Sequence, residues 1–261
     1  SIPKAILAKA DGSMIIAMQK DTDETLVVNL DDNLALDSAG IIDIASGAPG
    51  VKAVNLDALS RILVVGNDGT ASWVNRHDSS TGSAIGTFPA IPTMTSVVDV
   101  LTQSNGRVIV GGDQDSTYGV LAGLAPLSFV SGSSTTTPIL DNTFGTSSRF
   151  TDSSVDSINS FVIDSTDNIV AGFVGTSDST MKIARVRPNG SALDTTFNST
   201  GVVTTDVTTA SGTNPVRVAL DNAGKVVAVT TTTTGISVRR YNDSGTTEDV
   251  DFDITNTASG F

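Results

Sequence analysis

One local pattern recurs five times along this 261-residue chain, and recurrence at that period restricts it to repeat architectures. An apolar run, a tight polar turn and a second apolar run appear as ILAKADGSMIIAM from Ile6, AVNLDALSRILVVG from Ala53 and VDVLTQSNGRVIVGG from Val98. They return as SFVIDSTDNIVAG from Ser160 and VRVALDNAGKVVAV from Val216. Each reads as a β-hairpin, because turn formers separate two runs whose apolar residues alternate or are continuous. Aligned on the turn, the equivalent positions are Gly12, Ser60, Gly106, Asp167 and Gly224, spaced by 48, 46, 61 and 57 residues. Such spacings fit a supersecondary unit and are too long for a coiled-coil or leucine-rich repeat.

After each hairpin comes a further strand: TLVVNL from Thr25, TASWVN from Thr70, YGVLAGL from Tyr118, MKIARV from Met181 and ISVRRY from Ile236. A polar turn then leads to a fourth, such as GIIDI from Gly40 or GVVTTDV from Gly201. Four short antiparallel strands per unit make a propeller blade. The expected fold is therefore all-β, a single five-bladed β-propeller over 1–261. Its blades are expected at 249–261 plus 1–33, 37–77, 82–130, 140–190 and 193–245. In that reading a C-terminal strand at about 249–255 completes the N-terminal blade. Closure of this kind would leave no sheet edge open to other chains. The stretch from Phe129 to Ile139 reads as a Ser/Thr-rich surface loop.

Composition agrees with strands and turns. The chain holds 24 Gly, only 16% charged residues, many Thr and Ser, and apolar residues that are mostly Val, Ile, Leu and Ala. The run Thr230 to Thr234 fits a strand and its turn, Thr being a strand former. No apolar run approaches the roughly 20 residues of a membrane-spanning helix, so no membrane insertion is expected. With no Cys there are no disulfides, thiol nucleophiles or thiolate metal sites. A net charge of −13 argues against nucleic acid and anionic membrane surfaces, which would repel such a chain.

One segment, RPNGSALDTTFNSTGVVTT from Arg187, resembles the delta-60 repeat, a bacterial tandem repeat found in surface or secreted proteins. Its Leu-Asp-x-Thr-Phe element stands at Leu193, Asp194, Thr196 and Phe197, and again at Leu140, Asp141, Thr143 and Phe144. A reduced form stands at Leu36, Asp37 and Gly40 without the Phe, and the family's Arg matches Arg185 and Arg240. In the second and third blades only the hydrophobic pattern remains, with Ala84 to Phe88 where the motif belongs. The resemblance implies an extracellular or cell-surface location. Physically the motif reads as structural: Leu and Phe tuck under the blade, Asp accepts backbone N–H bonds, and Gly permits a positive φ.

Candidate chemistry is sparse. His77 precedes Asp78 and two Ser residues, but adjacent positions in a turn cannot supply triad geometry, so it reads as a loop histidine. Asp21, Asp23 and Glu24, and Asp113 with Asp115, are weak Ca²⁺ candidates that lack the EF-hand spacing and read as solvated turns. Asp249, Asp251 and Asp253 alternate with apolar residues and share one strand face. Lys182, Arg185, Arg187, Arg217, Arg239 and Arg240 gather cationic groups into the last two units, either as a partner contact or paired with local carboxylates. Trp73, Tyr118 and Tyr241 occupy equivalent outer-strand positions, where they could stack on sugar rings or fill blade edges. Three Asn-x-Ser/Thr sequons start at Asn189, Asn198 and Asn242.

The expectation is a non-enzymatic propeller without cofactors that acts as an extracellular or surface interaction and structural-assembly module, through a protein partner or self-association. The alternative is a carbohydrate-binding propeller.

Overall fold

All five aligned turn positions adopt left-handed backbone: Gly12 (φ 88°), Ser60 (59°), Gly106 (85°), Asp167 (67°) and Gly224 (78°). In each, the residue opening the turn accepts from the positive-φ N–H, as in Gly224 N to Asp221 O at 2.9 Å, and donates its own N–H one residue further on, as in Asp221 N to Lys225 O at 3.0 Å. This is a type I turn followed by a left-handed residue, a geometry whose twist suits a tight hairpin. Where Asp opens the turn, its carboxylate supplies two more bonds. Asp57 Oδ1 accepts from Leu59 and Arg61, Asp164 Oδ1 from Thr166 and Asn168, and Asp221 Oδ1 from Ala223 and Lys225, all at 2.8–3.0 Å.

These hairpins seed five four-stranded antiparallel sheets in a computed structural model that describes residues 2–20, 24–44, 50–67, 71–88, 91, 94–114, 118–125, 140–210, 215–249, 252 and 254–256. The first sheet comprises β1 (Ile2–Ala8), β2 (Met14–Gln19), β3 (Thr25–Leu30) and β4 (Leu36–Ile44). The second holds β5 (Val51–Leu56), β6 (Ile62–Asn67), β7 (Ser72–His77) and β8 (Ala84–Phe88). The third holds β9 (Ser96–Thr102), β10 (Val108–Gln114), β11 (Tyr118–Leu124) and β12 (Arg149–Thr151). The fourth is built from β13 (Ile158–Ile163), β14 (Ile169–Val174), β15 (Thr180–Val186) and β16 (Val202–Thr208). The fifth runs through β17 (Arg217–Leu220), β18 (Val226–Thr232), β19 (Gly235–Tyr241) and β20 (Ile254–Asn256). Each sheet keeps its strands in chain order, and the described residues contain no helix long and apolar enough to cross a membrane.

Two expectations about strand assignment are corrected. The strand after each polar turn belongs to the sheet it leaves, not to the next: β4 pairs with β3 through Val27↔Ile42 and Val28↔Ile41, and β16 with β15 through Ile183↔Val203. The blades are therefore 2–44, 51–88, 96–151, 158–208 and 217–256, one strand out of phase with those expected. The reason is local. Turns such as Asp31–Ala35, closed by Asp31 N to Ala35 O at 2.8 Å, fold the chain straight back on its predecessor, and short connections favour adjacent pairing. The C-terminal strand likewise completes the last blade, with Val238↔Ile254 and Ile236↔Asn256. The N-terminal blade has its own four strands, and among the described residues none of them comes from the C-terminal end.

By packing, the chain divides into two compact units, residues 1–110 with 122–141, and 111–121 with 142–261. In the first, one core joins the facing sides of the first two sheets: Ile15, Ala17, Val27, Ile42 and Ile44 meet Val51, Val54, Ile62 and Val64. Side chains stitch neighbouring blades. Gln19 Oε1 accepts from Gly50 N at 2.8 Å, Asn55 Nδ2 donates to Val100 O at 2.9 Å, and Thr102 Oγ1 donates to Leu56 O at 3.0 Å. Arg107 Nε reaches Asp141 Oδ2 at 2.6 Å, both groups nearly buried.

In the second unit the core runs between the fourth and fifth sheets, from Val170, Met181, Ile183 and Val203 to Val216, Val218, Val226 and Ala228. Ser160 Oγ donates to Val216 O at 3.0 Å and accepts from Val218 N at 2.9 Å, which pins β17 onto β13. The motif phenylalanines act here as latches. A Cβ on Gly190 would lie 2.5 Å from the Phe144 ring, and one on Gly245 would lie 2.5 Å from the Phe197 ring. Each Phe is thus seated under the turn glycine of the following blade. The next residue in the chain completes the contact, Gly145 N donating to Asn189 O and Asn198 N to Ser244 O, both at 2.7 Å.

Candidate functional site

Among the described residues, one side of the first blade exposes a row of aliphatic side chains. Antiparallel register places Ile6 opposite Ile16, Ile16 opposite Val28, and Val28 opposite Ile41, so four aliphatic residues form a row across all four strands. Ile6 is 65% and Ile41 56% exposed, and Ile16 and Val28 are half-buried. Alternation sends their neighbours Ile15, Ala17, Val27 and Ile42 to the opposite side, where the second blade covers them. Counting back from the hairpin, the position of Ile6 is taken by Val54, Val100, Phe161 and Val218 in the other blades, exposed by 6%, 0%, 2% and 9%. Each of those is buried, and three have their cover described. Val54 belongs to the core shared with the first sheet, the Phe161 ring lies against Gly111, and Val218 lies against Gly172. Burying one isoleucine side chain contributes about 1.5–3 kcal/mol, so a row left open in one blade of five is a strong incentive to bind. Sequence reasoning missed this face because Ile6 is as apolar as its counterparts; only pairing shows which copy lacks a neighbour.

The cationic group is consumed locally. Arg185 Nε meets Asp194 Oδ2 at 2.8 Å, and Arg240 Nη2 meets Asp249 Oδ2 at 2.6 Å, the same nine-residue reach in two successive blades. The guanidinium groups also lie over phenylalanine rings, Arg185 at 4.9 Å from Phe197 and Arg240 at 4.1 Å from Phe252. Burial pushes the Asp194 carboxyl up, yet bonds from Thr196 and the Arg185 charge outweigh it and hold it below its ordinary value. Lys225 first, then Arg240, lowers Asp249 in the same way. Lys182 pairs with Asp178 at 3.1 Å, Arg239 with Glu248 at 3.0 Å and Asp206 at 3.6 Å, and Arg217 donates to Asn159 O at 2.9 Å. Arg187 is exposed. Most of these bonds hold the blades' own turns, while Arg217 and Arg185 also reach a neighbouring blade, at Asn159 O and Asp243 O.

The aromatic residues separate. Tyr241 is 5% exposed, lies in the core and donates its hydroxyl to Glu248 Oε2 at 3.2 Å, with burial raising its pKa. Trp73 is half-buried and lies across Gly66, packing on the core of the first two sheets. Tyr241 is thus enclosed, and Trp73 turns one side of its ring to Gly66. Tyr118 is 45% exposed and borders an open groove of about 240 Å³ with Gln114, Thr151, Asp152 and Ser153. A ring beside amide, hydroxyl and carboxylate groups suits a polar ligand with one apolar face.

No group of three or more metal-ligating side chains occurs among the described residues. Glu24 binds Lys20 at 2.5 Å, and Asp113 is buried and accepts from Ser157 Oγ at 2.6 Å. Asp21, Asp23, Asp115, Asp251 and Asp253 lie outside the described residues. His77 is not a loop residue, as expected, but the last residue of β7, 5% exposed. Its Nδ1 lies 3.2 Å from Gly82 O and its Nε2 has no hydrogen-bond partner among the described residues, so burial lowers its pKa. Arg76 beside it is also pushed down, to about 10, by burial and then by the charge of Arg61. The Asp78 carboxyl instead drops to about 2, through bonds from Ser80 and Thr81, and points into its own turn.

No protein-family model matches the chain, and no curated protein sequence matches it. Solved structures do. A protein from Lactobacillus plantarum superposes with a TM-score of 0.62 at 13% identity, over 97% of this chain and 70% of its own. Virginiamycin B lyase from Staphylococcus aureus superposes at 0.57 with 12% identity, over 94% and 69%. The gluconolactonase XC5397 from Xanthomonas campestris superposes at 0.53 with 13% identity, over 94% and 73%. The fold is a β-propeller. This propeller, at such low identity, is similar to those proteins in fold alone. The comparison nevertheless corrects the expectation that the chain is not an enzyme. A lyase and a gluconolactonase share the architecture, so the fold carries no presumption against catalysis.

Proposed function

We propose that this propeller is an interaction and assembly module that works at the cell surface or outside the cell, and that its five blades form one domain of the delta-60 repeat type. One observation carries the reading: the Ile6–Ile16–Val28–Ile41 row is uncovered at a position the other blades bury. The repeat assignment is supported by two motif copies in equivalent places. Leu140 and Leu193 each form an isolated bridge, to Leu124 and Val186, just before the Asp. A net charge of −13 supports a protein partner over nucleic acid. The test is sedimentation velocity over a hundredfold concentration range, alone and with candidate partners, on the wild type and on Ile41→Asp. Association that weakens at least tenfold in the variant is the expected result; identical behaviour of both proteins would sink the reading.

A second reading rests on Tyr118. Its exposed ring beside Gln114, Thr151, Asp152 and Ser153 favours carbohydrate, whose C–H faces stack on aromatics while hydroxyls meet polar groups. A glycan array probed with the wild type and with Tyr118→Ala tests it; binding unaffected by the substitution would rule this groove out.

A further inference from the structure

The groove beside Tyr118 lies wholly within the second compact unit, and the chain around it is firmly tied. Gln114 and Tyr118 stand at the facing ends of β10 and β11, β12 beside β11 ends at Thr151, and the connection to β13 starts at Asp152. Three contacts fix that connection. Gly119 N donates to Val155 O at 2.9 Å, Ser157 Oγ donates to the buried Asp113 at 2.6 Å, and Asp156 accepts from Thr176 N and Oγ1, both at 3.0 Å. A Cβ on Gly119 would lie 2.6 Å from Asp156 O, so the connection runs directly against the residue that follows Tyr118. The two sides of the groove are therefore spaced before any ligand arrives, which lowers the ordering cost of binding one.

Its charge has one sign. Among the described residues that line it, Asp152 is the carboxylate, Gln114, Thr151 and Ser153 supply an amide and two hydroxyls, and none is Lys, Arg or His. Asp152 Oδ1 is spent on its own turn, accepting from Ser154 N at 2.9 Å and Ser154 Oγ at 2.6 Å, whereas Oδ2 accepts nothing from the described residues. An anionic ligand would meet this carboxylate with no cation to offset the repulsion. An ammonium group would gain a charge-assisted bond from it, beside a ring whose face attracts cations. We infer that the groove selects an amino sugar with a free ammonium group. The ammonium binds Asp152 Oδ2, a C–H face of the sugar stacks on Tyr118, and its hydroxyls meet Gln114, Thr151 and Ser153. A simple alkylammonium would use the ring and the carboxylate but none of the three neutral groups. The inference rests on the carbohydrate reading of Tyr118 and narrows it to one chemical class.

Ligand-observed NMR titrations of the full chain with glucosamine, N-acetylglucosamine, glucose and glucuronate test it, at about pH 6, where a sugar amine is protonated. The expected result is glucosamine bound at least tenfold more tightly than its N-acetyl form or glucose, and glucuronate not bound. Asp152→Asn keeps the Oδ1 acceptor that Ser154 uses and should bring glucosamine down to the level of the N-acetyl form, while Tyr118→Ala should weaken every sugar. Equal affinity for glucosamine, its N-acetyl form and glucose, lost in Tyr118→Ala but unchanged in Asp152→Asn, overturns the ammonium inference and leaves the carbohydrate reading standing. A preference for glucosamine that survives both substitutions places its site elsewhere and overturns the inference. Binding of none of the four also overturns it, and the glycan array then judges the wider reading separately. Thermal midpoints of the two variants show that each is folded.

Discussion

Phe197 holds two blades together from a single side chain, because its ring is fully buried beneath the Gly245 turn and under the Arg185 guanidinium. Phe197→Ala is expected to lower unfolding free energy by about 3–5 kcal/mol in denaturant titration, the usual cost of emptying an aromatic site. Gly190→Ala should cost a further kind of penalty, since the new Cβ would enter the Phe144 ring and sit at φ +65°. His77 gives the pH dependence. Its folded pKa is below the ordinary 6.5 because burial disfavours the charged ring, so the unfolded chain takes up the proton first as pH falls. Its contribution is whole above pH 6.5 and is lost as pH falls through the lowered folded value. Thermal midpoints measured from pH 8 to pH 4.5 should decline less steeply in His77→Gln than in the wild type; parallel curves would show that His77 is not responsible.

At the scale of elements, the hairpin turn is the unit that sequence specified best. Asp, Asn and Gly at fixed offsets force the bend, and all five aligned positions have positive φ. Ser60 adopts that conformation without being glycine, so Ser60→Gly is expected to raise stability by up to about 1 kcal/mol, against a loss of about 1–3 kcal/mol for Asp221→Ala, which removes two backbone bonds. Calorimetric midpoints of the two variants check the opposite signs. What sequence could not specify was the sheet to which a fourth strand belongs. Residues Gly40–Ile44 read equally well as the end of one blade or the start of the next, and the Asp31–Ala35 turn that decides it is held by Asp31 Oδ1, which accepts from Asn33 N and Ala35 N, against the cost of Leu34, a non-glycine at φ 64°. The arginines were legible as a group but not as ion pairs, because Arg185 and Asp194 meet only after the chain has turned between them. The row through Ile41 was invisible for a different reason: exposure depends on a neighbouring blade, and no residue encodes its own lack of one.

For the whole molecule, self-association through the Ile6–Ile41 row of the first blade would bring together copies of a protein with 28 acidic and 15 basic residues. Like net charges repel at long range, and salt screens that repulsion within about 8–10 Å at physiological strength without weakening burial. Self-association is therefore expected to tighten between 50 and 500 mM NaCl, the reverse of a contact made by ion pairs; light scattering across that range distinguishes them. The Phe144–Gly190 and Phe197–Gly245 latches carry a different message, about folding. Each couples a blade only to its immediate successor, so the free energy of residues 142–261 is close to a sum of blade terms and nearest-neighbour terms. Amide exchange in the fourth and fifth blades should therefore be coupled, and Phe197→Ala should uncouple the two into separate steps.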